Sequence, residues 1–562
     1  MYSPANFESP VGALRSTQRA PQSCTRCSRL KIKCDKNAPC NQCIRKGIPD
    51  ACCKETVLVR GAVTTAPAKD RLPTYNELLE ENRRLRHAMY LSIPKPQSVA
   101  TLDAGAVQDY DLYERYLFDN VQQAPVRHHF DHDCIVFPTR DCSIKLIEHD
   151  KIWNSWVHYA VQYPEFDHEH ELLWEKLSAG TPADQIDPAW LALYFAVLAA
   201  ALLTMDERES INLNLPTGDV DSSLRLWFDT SLYYLHFSNF MRRDDVLTVQ
   251  TIAVLGICFN TLGEYKLYKN LWSCAIRIAQ GLGMDRSMVT SLRIRPQLCR
   301  RLWWTLIICE WLSVPWYAPC ITEHDFNVPL PELEFEPAMT AKGCDGIAPC
   351  SPVDYHIFMI SVSSVYQRFR RDLRSMESPV VQIVQDTDNK LAEIISSLPS
   401  HLQPDQPQDD YTTRRDTTYP WIAWQRVYLT LVLLYYRMVI NRTLQSSWLV
   451  DQDQYGGPRA ICLSSARGIL LIQREWTIPL TKRRQWAATV HIYAAVACLL
   501  NDIEVHGLSG VTDCRDLIDH SISYLSQLED TSAVAKTAVQ ILTQLDNDQG
   551  AGTLGPSQRL TT

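Results

Sequence analysis

The stretch CTRCSRLKIKCDKNAPCNQCIRKGIPDACC, residues 24–53, holds seven of the nineteen cysteines of a 562-residue chain. Six of them fall into two similar halves, Cys24-x2-Cys27-x6-Cys34 and Cys40-x2-Cys43-x8-Cys52. A Cys-x-x-Cys pair can turn both thiolates onto one ion, and zinc prefers four tetrahedral ligands of this kind at about 2.3 Å. Two separate four-ligand sites would need eight ligands. Six suffice when two sulfurs are shared, so the count points to a cluster of two Zn²⁺ ions.

Other uses of the cysteines fit less well. Disulfides need an oxidising compartment, and MYSPANFESPVGALRS at the start has no apolar signal-peptide core. A thioredoxin-like site would be a single Cys-x-x-Cys after a strand. A cross-braced protein-contact module would need eight ligands and usually a histidine, and the segment contains no histidine.

Between the cysteines stand Arg26, Arg29, Lys31 and Lys33. Residues 24–53 carry seven Lys/Arg against two Asp/Glu, a net +5 that becomes +3 with six thiolates and two Zn²⁺. Such a module is drawn to phosphate backbones and releases counterions on binding. The segment between Cys27 and Cys34 is predicted to be a short helix, the element such modules place in the major groove. Lysine or arginine there can donate to guanine O6 and N7.

The spacing, with the Lys-Ile-Lys-Cys-Asp run at 31–35 and the Pro39-Cys40 step, resembles the fungal Zn(II)2Cys6 binuclear-cluster transcription regulators. The resemblance implies zinc ligands Cys24, Cys27, Cys34, Cys40, Cys43 and Cys52, with Cys24 and Cys40 bridging. Cys53 is then a spare thiol, because x8 fits the family spacing better than x9. It also implies that Lys31 reads a CGG triplet, with Arg26, Arg29 and Lys33 as accessory DNA contacts.

The rest of the chain differs in charge. Residues 1–93 carry sixteen Lys/Arg against eight Asp/Glu, net +8, and the remainder 39 against 56, net −17. A basic head on an acidic body suits a DNA-binding module joined to a domain that avoids nucleic acid. The longest uncharged apolar run, Ala189–Met205, is opened by Asp187-Pro188, an N-cap and a first-turn proline, and reads as a buried helix. No membrane anchor is expected from it. The twelve cysteines after Cys53 show no ligand spacing and suit a reducing compartment.

Residues 74–93 carry heptad-like apolar positions, with Tyr75, Asn82 and Met89 at a and Leu78 and Leu85 at d. A lone Asn at an a position favours two strands, so a weak homodimer is expected. Downstream, helical periodicity follows without strand-like alternation. Within it DPAWLALYFAVLA at 187–199, LWSCAIRIAQGLGMDR at 271–286 and CRRLWWTLIICEWLSVPWYAPCITEHDFNVPLPE at 299–332 resemble the fungal transcription-factor middle homology domain, over about 180–335. Two departures stand out: Glu310-Trp311 in place of an Asp-Arg pair, and Tyr317-Ala318-Pro319 in place of Gly-Arg-Pro.

The expected fold is all-α: a small N-terminal binuclear zinc-cluster module of two short helices, a short coiled-coil segment, then a large all-helical regulatory domain. In order this gives a disordered N-terminus (1–20), the cluster (21–55), a linker (56–73), the coiled-coil helix (74–93), a linker (94–107), the regulatory domain (108–547) and a flexible tail (548–562). Residues 402–419 are predicted to be an exposed loop. His128-His129 and His168-Glu169-His170-Glu171 match no catalytic metal spacing, and no phosphate loop, dinucleotide motif or nucleophile elbow occurs.

The function expected is therefore non-enzymatic: a nuclear, sequence-specific regulator of RNA polymerase II promoters that binds double-stranded DNA at CGG half-sites and engages the transcription machinery. The layout also resembles regulators of biosynthetic, secondary-metabolite gene clusters. The alternative is a co-regulator whose cysteine module contacts protein instead of DNA.

Overall fold

The computed structural model of the protein describes residues 16–17, 23–36, 40–46, 52, 57–59 and 62–64, then 111–123, 130, 132–287, 295–314, 317–332, 350–375, 377–407, 409–475, 484–506 and 512–550. The chain divides into two compact units, residues 1–73 and 74–562. The heptad residues Tyr75, Leu78, Asn82, Leu85 and Met89 lie outside the described residues.

The first unit has two five-residue helices, α1 (Thr25–Arg29) and α2 (Asn41–Arg45). It also has three short strands, β1 (Ser16–Thr17), β2 (Val57–Val59) and β3 (Ala62–Thr64). β2 and β3 are antiparallel with Leu58 opposite Val63, and β1 runs parallel to β2. Sequence reading took these stretches as linker and disordered N-terminus. The β-branched residues of VLVRGAVT, with a two-residue Arg60-Gly61 connection, favour a hairpin.

The second unit is helical throughout its described residues. Its principal helices begin with α3 (Leu112–Asn120), α4 (Arg140–Trp153), α5 (Tyr163–Ser178), α6 (Pro188–Thr204), α7 (Val220–Phe237) and α8 (Val246–Leu255). Next come α9 (Tyr265–Gly281), α10 (Pro296–Trp311), α11 (Val353–Ser375), α12 (Val380–Ser396), α13 (Asp410–Thr418) and α14 (Trp421–Arg442). The unit closes with α15 (Gln452–Glu475), α16 (Trp486–His506), α17 (Thr512–Ser526) and α18 (Ala533–Gly550).

Helix α6 is buried on every side, as an apolar helix of a large core must be. Asp187 caps it, accepting from Ala189 N at 3.0 Å, and Pro188 fills the first turn. Around α6 pack α4, α7 and α8, while α14, α15, α16 and α18 form a second group. Helices α9, α10 and α11 join the two groups. In α16 the window Trp486–Ile503 is apolar enough to cross a bilayer, yet 83% of it is buried within the bundle.

Two sequence readings change here. α5 was not predicted, because the run EFDHEHE masks its apolar face of Tyr163, Phe166, His170 and Leu173. The predicted loop at 402–419 contains α13, which Asp409 opens by accepting from Thr412 N at 2.7 Å. Its Arg415 is buried and donates to Gln406 Oε1 at 2.9 Å and Asp416 Oδ1 at 2.5 Å.

A buried ion pair ties α3 to α14. Arg442 of α14 donates to Glu114 of α3 at 2.6 and 2.8 Å, and Tyr435 donates to the same carboxylate at 3.0 Å. Around the signature of residues 299–332, the ring of Phe326 sits 5.3, 5.4 and 6.0 Å from those of Trp303, Trp304 and Trp311. Where the sequence departs from the family pattern, Glu310 accepts from Cys320 N at 2.6 Å and Trp311 donates to Ile321 O at 3.1 Å.

Candidate metal centre and nucleic-acid interface

Cys24, Cys27, Cys40, Cys43 and Cys52 form a buried cluster in the first unit. Cys34 is half-buried beside them. Two helices of five residues are too short to persist alone and need a core to hold them. The thiol cluster takes that place.

Its geometry is that of a tetrahedral sulfur site. Cys24 Sγ lies 3.9 Å from Cys40 Sγ and 3.9 Å from Cys43 Sγ, and Cys27 Sγ lies 3.6 Å from Cys40 Sγ. Ligands at about 2.3 Å around one tetrahedral ion are separated by about 3.8 Å, so these distances fit zinc. The contacts also fit two shared sulfurs. Cys24 and Cys40 face each other, and each also touches the second cysteine of the opposite half. Cys34 clusters with Cys40, whereas Cys52 Sγ accepts from Cys40 N at 3.2 Å. Cys24, Cys27, Cys40 and Cys43 bring their four sulfurs within 4.8 Å of one another and could hold an ion. Cys53 lies outside the described residues.

Cys24 and Cys40 are the N-cap residues of the two helices. Cys24 caps α1 and accepts from Cys27 N at 3.3 Å, and Cys40 stands at the same position of α2. Backbone N–H groups at a helix start stabilise thiolate. The N–H of Cys43 draws the Cys40 thiol down to about 6. Burial works against ionisation of Cys24, yet the N–H of Cys27 still leaves its thiol below the ordinary value. Burial pushes Cys43 up to about 12 in the absence of an ion; a bound metal deprotonates such a thiol outright. Asp35, which sequence reasoning passed over, accepts from Asn41 N at 3.0 Å and fixes the start of α2.

The helix reading between Cys27 and Cys34 needs correction. α1 ends at Arg29, with Leu30 as C-cap, so Arg26 and Arg29 are helical but Lys31 and Lys33 are not. Lys31 N donates to Ser28 O at 3.3 Å and Ile32 N to Cys27 O at 3.1 Å. This pair of bonds is a Schellman ending with Lys31 at the left-handed position, φ 52°, that glycine usually takes. The reversal brings Cys34 back to the cluster. It also leaves Lys31 and Lys33 exposed, with Leu30 and Ile32 exposed beside them.

Among the described residues, the run His168-Glu169-His170-Glu171 forms no metal centre. His170 is buried, with Nε2 2.8 Å from both Ser143 Oγ and Trp174 Nε1, and burial lowers its pKa. His128 and His129 lie outside the described residues.

Comparison with known proteins agrees with this geometry. The fungal Zn(2)-Cys(6) binuclear cluster domain model matches residues 22–57, and the fungal specific transcription factor domain model matches residues 154–418, wider than the 180–335 read from sequence. A domain of the first kind binds two zinc ions. The chain is 22% identical over 334 residues to the maltose fermentation regulatory protein MAL63 of Saccharomyces cerevisiae, an alignment covering 58% of this chain and 57% of that protein. The chain thus spans just over half the length of this curated relative. The K. lactis CBF3 core structure is similar in fold, with a TM-score of 0.53 at 15% identity over 80% of this chain and 92% of that chain.

Proposed function

The chain carries a fungal Zn(2)-Cys(6) binuclear cluster domain and a fungal specific transcription factor domain, and on that premise we propose that it is a zinc-dependent, sequence-specific DNA-binding regulator of RNA polymerase II promoters. The observation that carries this reading is the placement of Lys31. A lysine held at a strained, solvent-facing turn beside the thiol cluster is positioned for an outside partner. Guanine O6 and N7 in a CGG triplet suit its ammonium donor. Arg26, Arg29 and Lys33 supply phosphate or flanking contacts, and the net +3 of the loaded module supplies the salt-dependent attraction.

In this reading Cys24, Cys27, Cys34, Cys40, Cys43 and Cys52 are the zinc ligands, and the protein acts in the nucleus. The heptad positions Tyr75 to Met89 pair two chains so that two triplets are read together. The acidic helical body, net −17 beyond residue 93, stays off DNA and engages the transcription machinery. The regulated genes form a biosynthetic or nutrient-pathway set, the latter suggested by the yeast relative, a maltose fermentation regulatory protein. Mapping the tagged protein on chromatin tests this. Peaks centred on CGG triplets upstream of neighbouring, co-regulated genes are expected, and a protein excluded from nuclei would overturn the reading.

A further inference from the structure

A cavity of about 180 Å³ lies inside the second unit, where α8, α9, α10, α11, α14 and α16 meet. Tyr268, Trp272, Tyr355, Tyr428 and Trp486 supply aromatic walls, and Ile257, Ile308 and Val432 fill between them. No Lys, Arg, Asp or Glu is among its lining residues. An apolar cavity of about 150 Å³ is large enough for benzene, so this one accepts a single substituted ring or a small fused pair.

Three histidines border it, and two are already satisfied or committed. His158 uses Nε2 with Asp150 Oδ2 at 3.0 Å and Nδ1 as acceptor from Ala160 N at 3.1 Å. His356 donates from Nε2 to Trp156 O at 2.7 Å. Burial pushes His356 down to about 4 and His491 to about 3, so neither brings a charge at neutral pH.

Two residues of the lining stand apart. Thr305 Oγ1 and His491 Nδ1 are buried without a hydrogen-bond partner, on residues 4% and 6% exposed. Several helical threonines in this unit return their hydroxyl to the carbonyl four residues back, as Thr251 does to Leu247 O at 2.7 Å and Thr430 to Arg426 O at 2.8 Å. Thr305 does not. An unpaired buried polar group is costly, and a ligand that pairs them removes that cost.

We infer that this cavity is a binding site for a compact, neutral aromatic molecule of the phenol or indole class. Its ring packs among Tyr268, Trp272, Tyr428 and Trp486, and its polar atoms pair with Thr305 Oγ1 and His491 Nδ1. A charged ligand is excluded, because no opposite charge lines the wall and desolvation would go uncompensated. A smaller cavity of about 50 Å³ shares Tyr268, Trp272 and Cys309 with the first and reaches Glu310, Tyr317 and the exposed Cys320. That second cavity lies along the stretch where this sequence departs from the family pattern. The site is independent of the DNA-binding reading, since the ligand is measured directly.

The test titrates the full-length protein with phenol, benzene and benzoate, read by tryptophan fluorescence and by calorimetry. Saturable phenol binding is expected, with benzene about fivefold weaker for each hydrogen bond it cannot make and no benzoate binding. In the double variant Thr305→Val/His491→Phe, phenol affinity falls to that of benzene while benzene affinity is kept. That retention distinguishes lost pairing from lost folding. Ala253→Phe, which fills the cavity, abolishes binding of both. The proposal is overturned if phenol does not saturate, if benzoate binds as well as phenol, or if the double variant binds phenol as tightly as the parent.

Discussion

Replacing Lys31 with glycine separates the fold of the zinc module from its contact with DNA. Lys31 occupies the left-handed end of α1 at φ 52°, bonded through Lys31 N to Ser28 O. A side chain in that conformation costs about 1–2 kcal/mol, and glycine recovers part of it against its own entropy cost of about 0.5–1 kcal/mol. The net effect on the module is between zero and about 1 kcal/mol of added stability. Losing a lysine that donates to guanine costs about 1–3 kcal/mol of binding, roughly 5- to 150-fold. Lys31→Gly is therefore expected to hold zinc against a chelator at least as well as the parent. It should also bind a CGG-containing duplex at least fivefold more weakly, and lose most of its preference over a scrambled duplex. Fluorescence anisotropy at fixed salt measures the second effect, and a colorimetric chelator competition the first. The reasoning fails if CGG preference survives intact. It also fails if Lys31→Ala and Lys31→Gly lose zinc equally, because backbone strain then plays no part.

Removing zinc should unfold the first unit alone. Its two helices are held by a buried cluster of cysteines, so chelation is expected to abolish its amide dispersion in NMR spectra while the far-UV signal of the helical body persists. Glu114→Leu leaves Arg442 buried without its carboxylate and is expected to cost about 3–5 kcal/mol in urea unfolding. Glu114→Leu/Arg442→Met should recover most of that loss, and a single-variant cost below about 1 kcal/mol would contradict the structure. Acid should destabilise the body through His356 and His491, whose folded pKa values of about 4 and about 3 lie below the unfolded value of about 6.5. The unfolded chain binds more protons in that interval. Stability is therefore complete above about pH 6.5 and falls as pH drops toward 4, by on the order of 3 kcal/mol per histidine. His491→Phe, if it folds, should flatten the profile of thermal midpoint against pH.

The metal centre was legible because ligand chemistry constrains spacing: a thiolate pair two residues apart and a third returning after a turn leave few alternatives. The capping aspartate of α6 and its proline were legible for a similar local reason. The position of Lys31 was not. A Schellman ending normally announces itself by glycine, and a lysine there hides the end of the helix inside an apparently continuous basic segment. α5 and α13 were hidden by charge. Their buried faces are narrow, and residues such as His170 and Arg415 are buried through partners distant in sequence or supplied by a neighbouring loop. The cavity was the least legible feature. Its lining runs from Val157 to His491, and an unpaired Thr305 hydroxyl has no sequence signature.

In vitro selection of binding sites from random DNA by the full-length protein, with zinc and again with a chelator, tests the central claim most directly. Two CGG triplets at one preferred spacing, enriched with zinc and lost on chelation, are the result the account predicts. Zinc-loaded protein that enriches no sequence at all would contradict it.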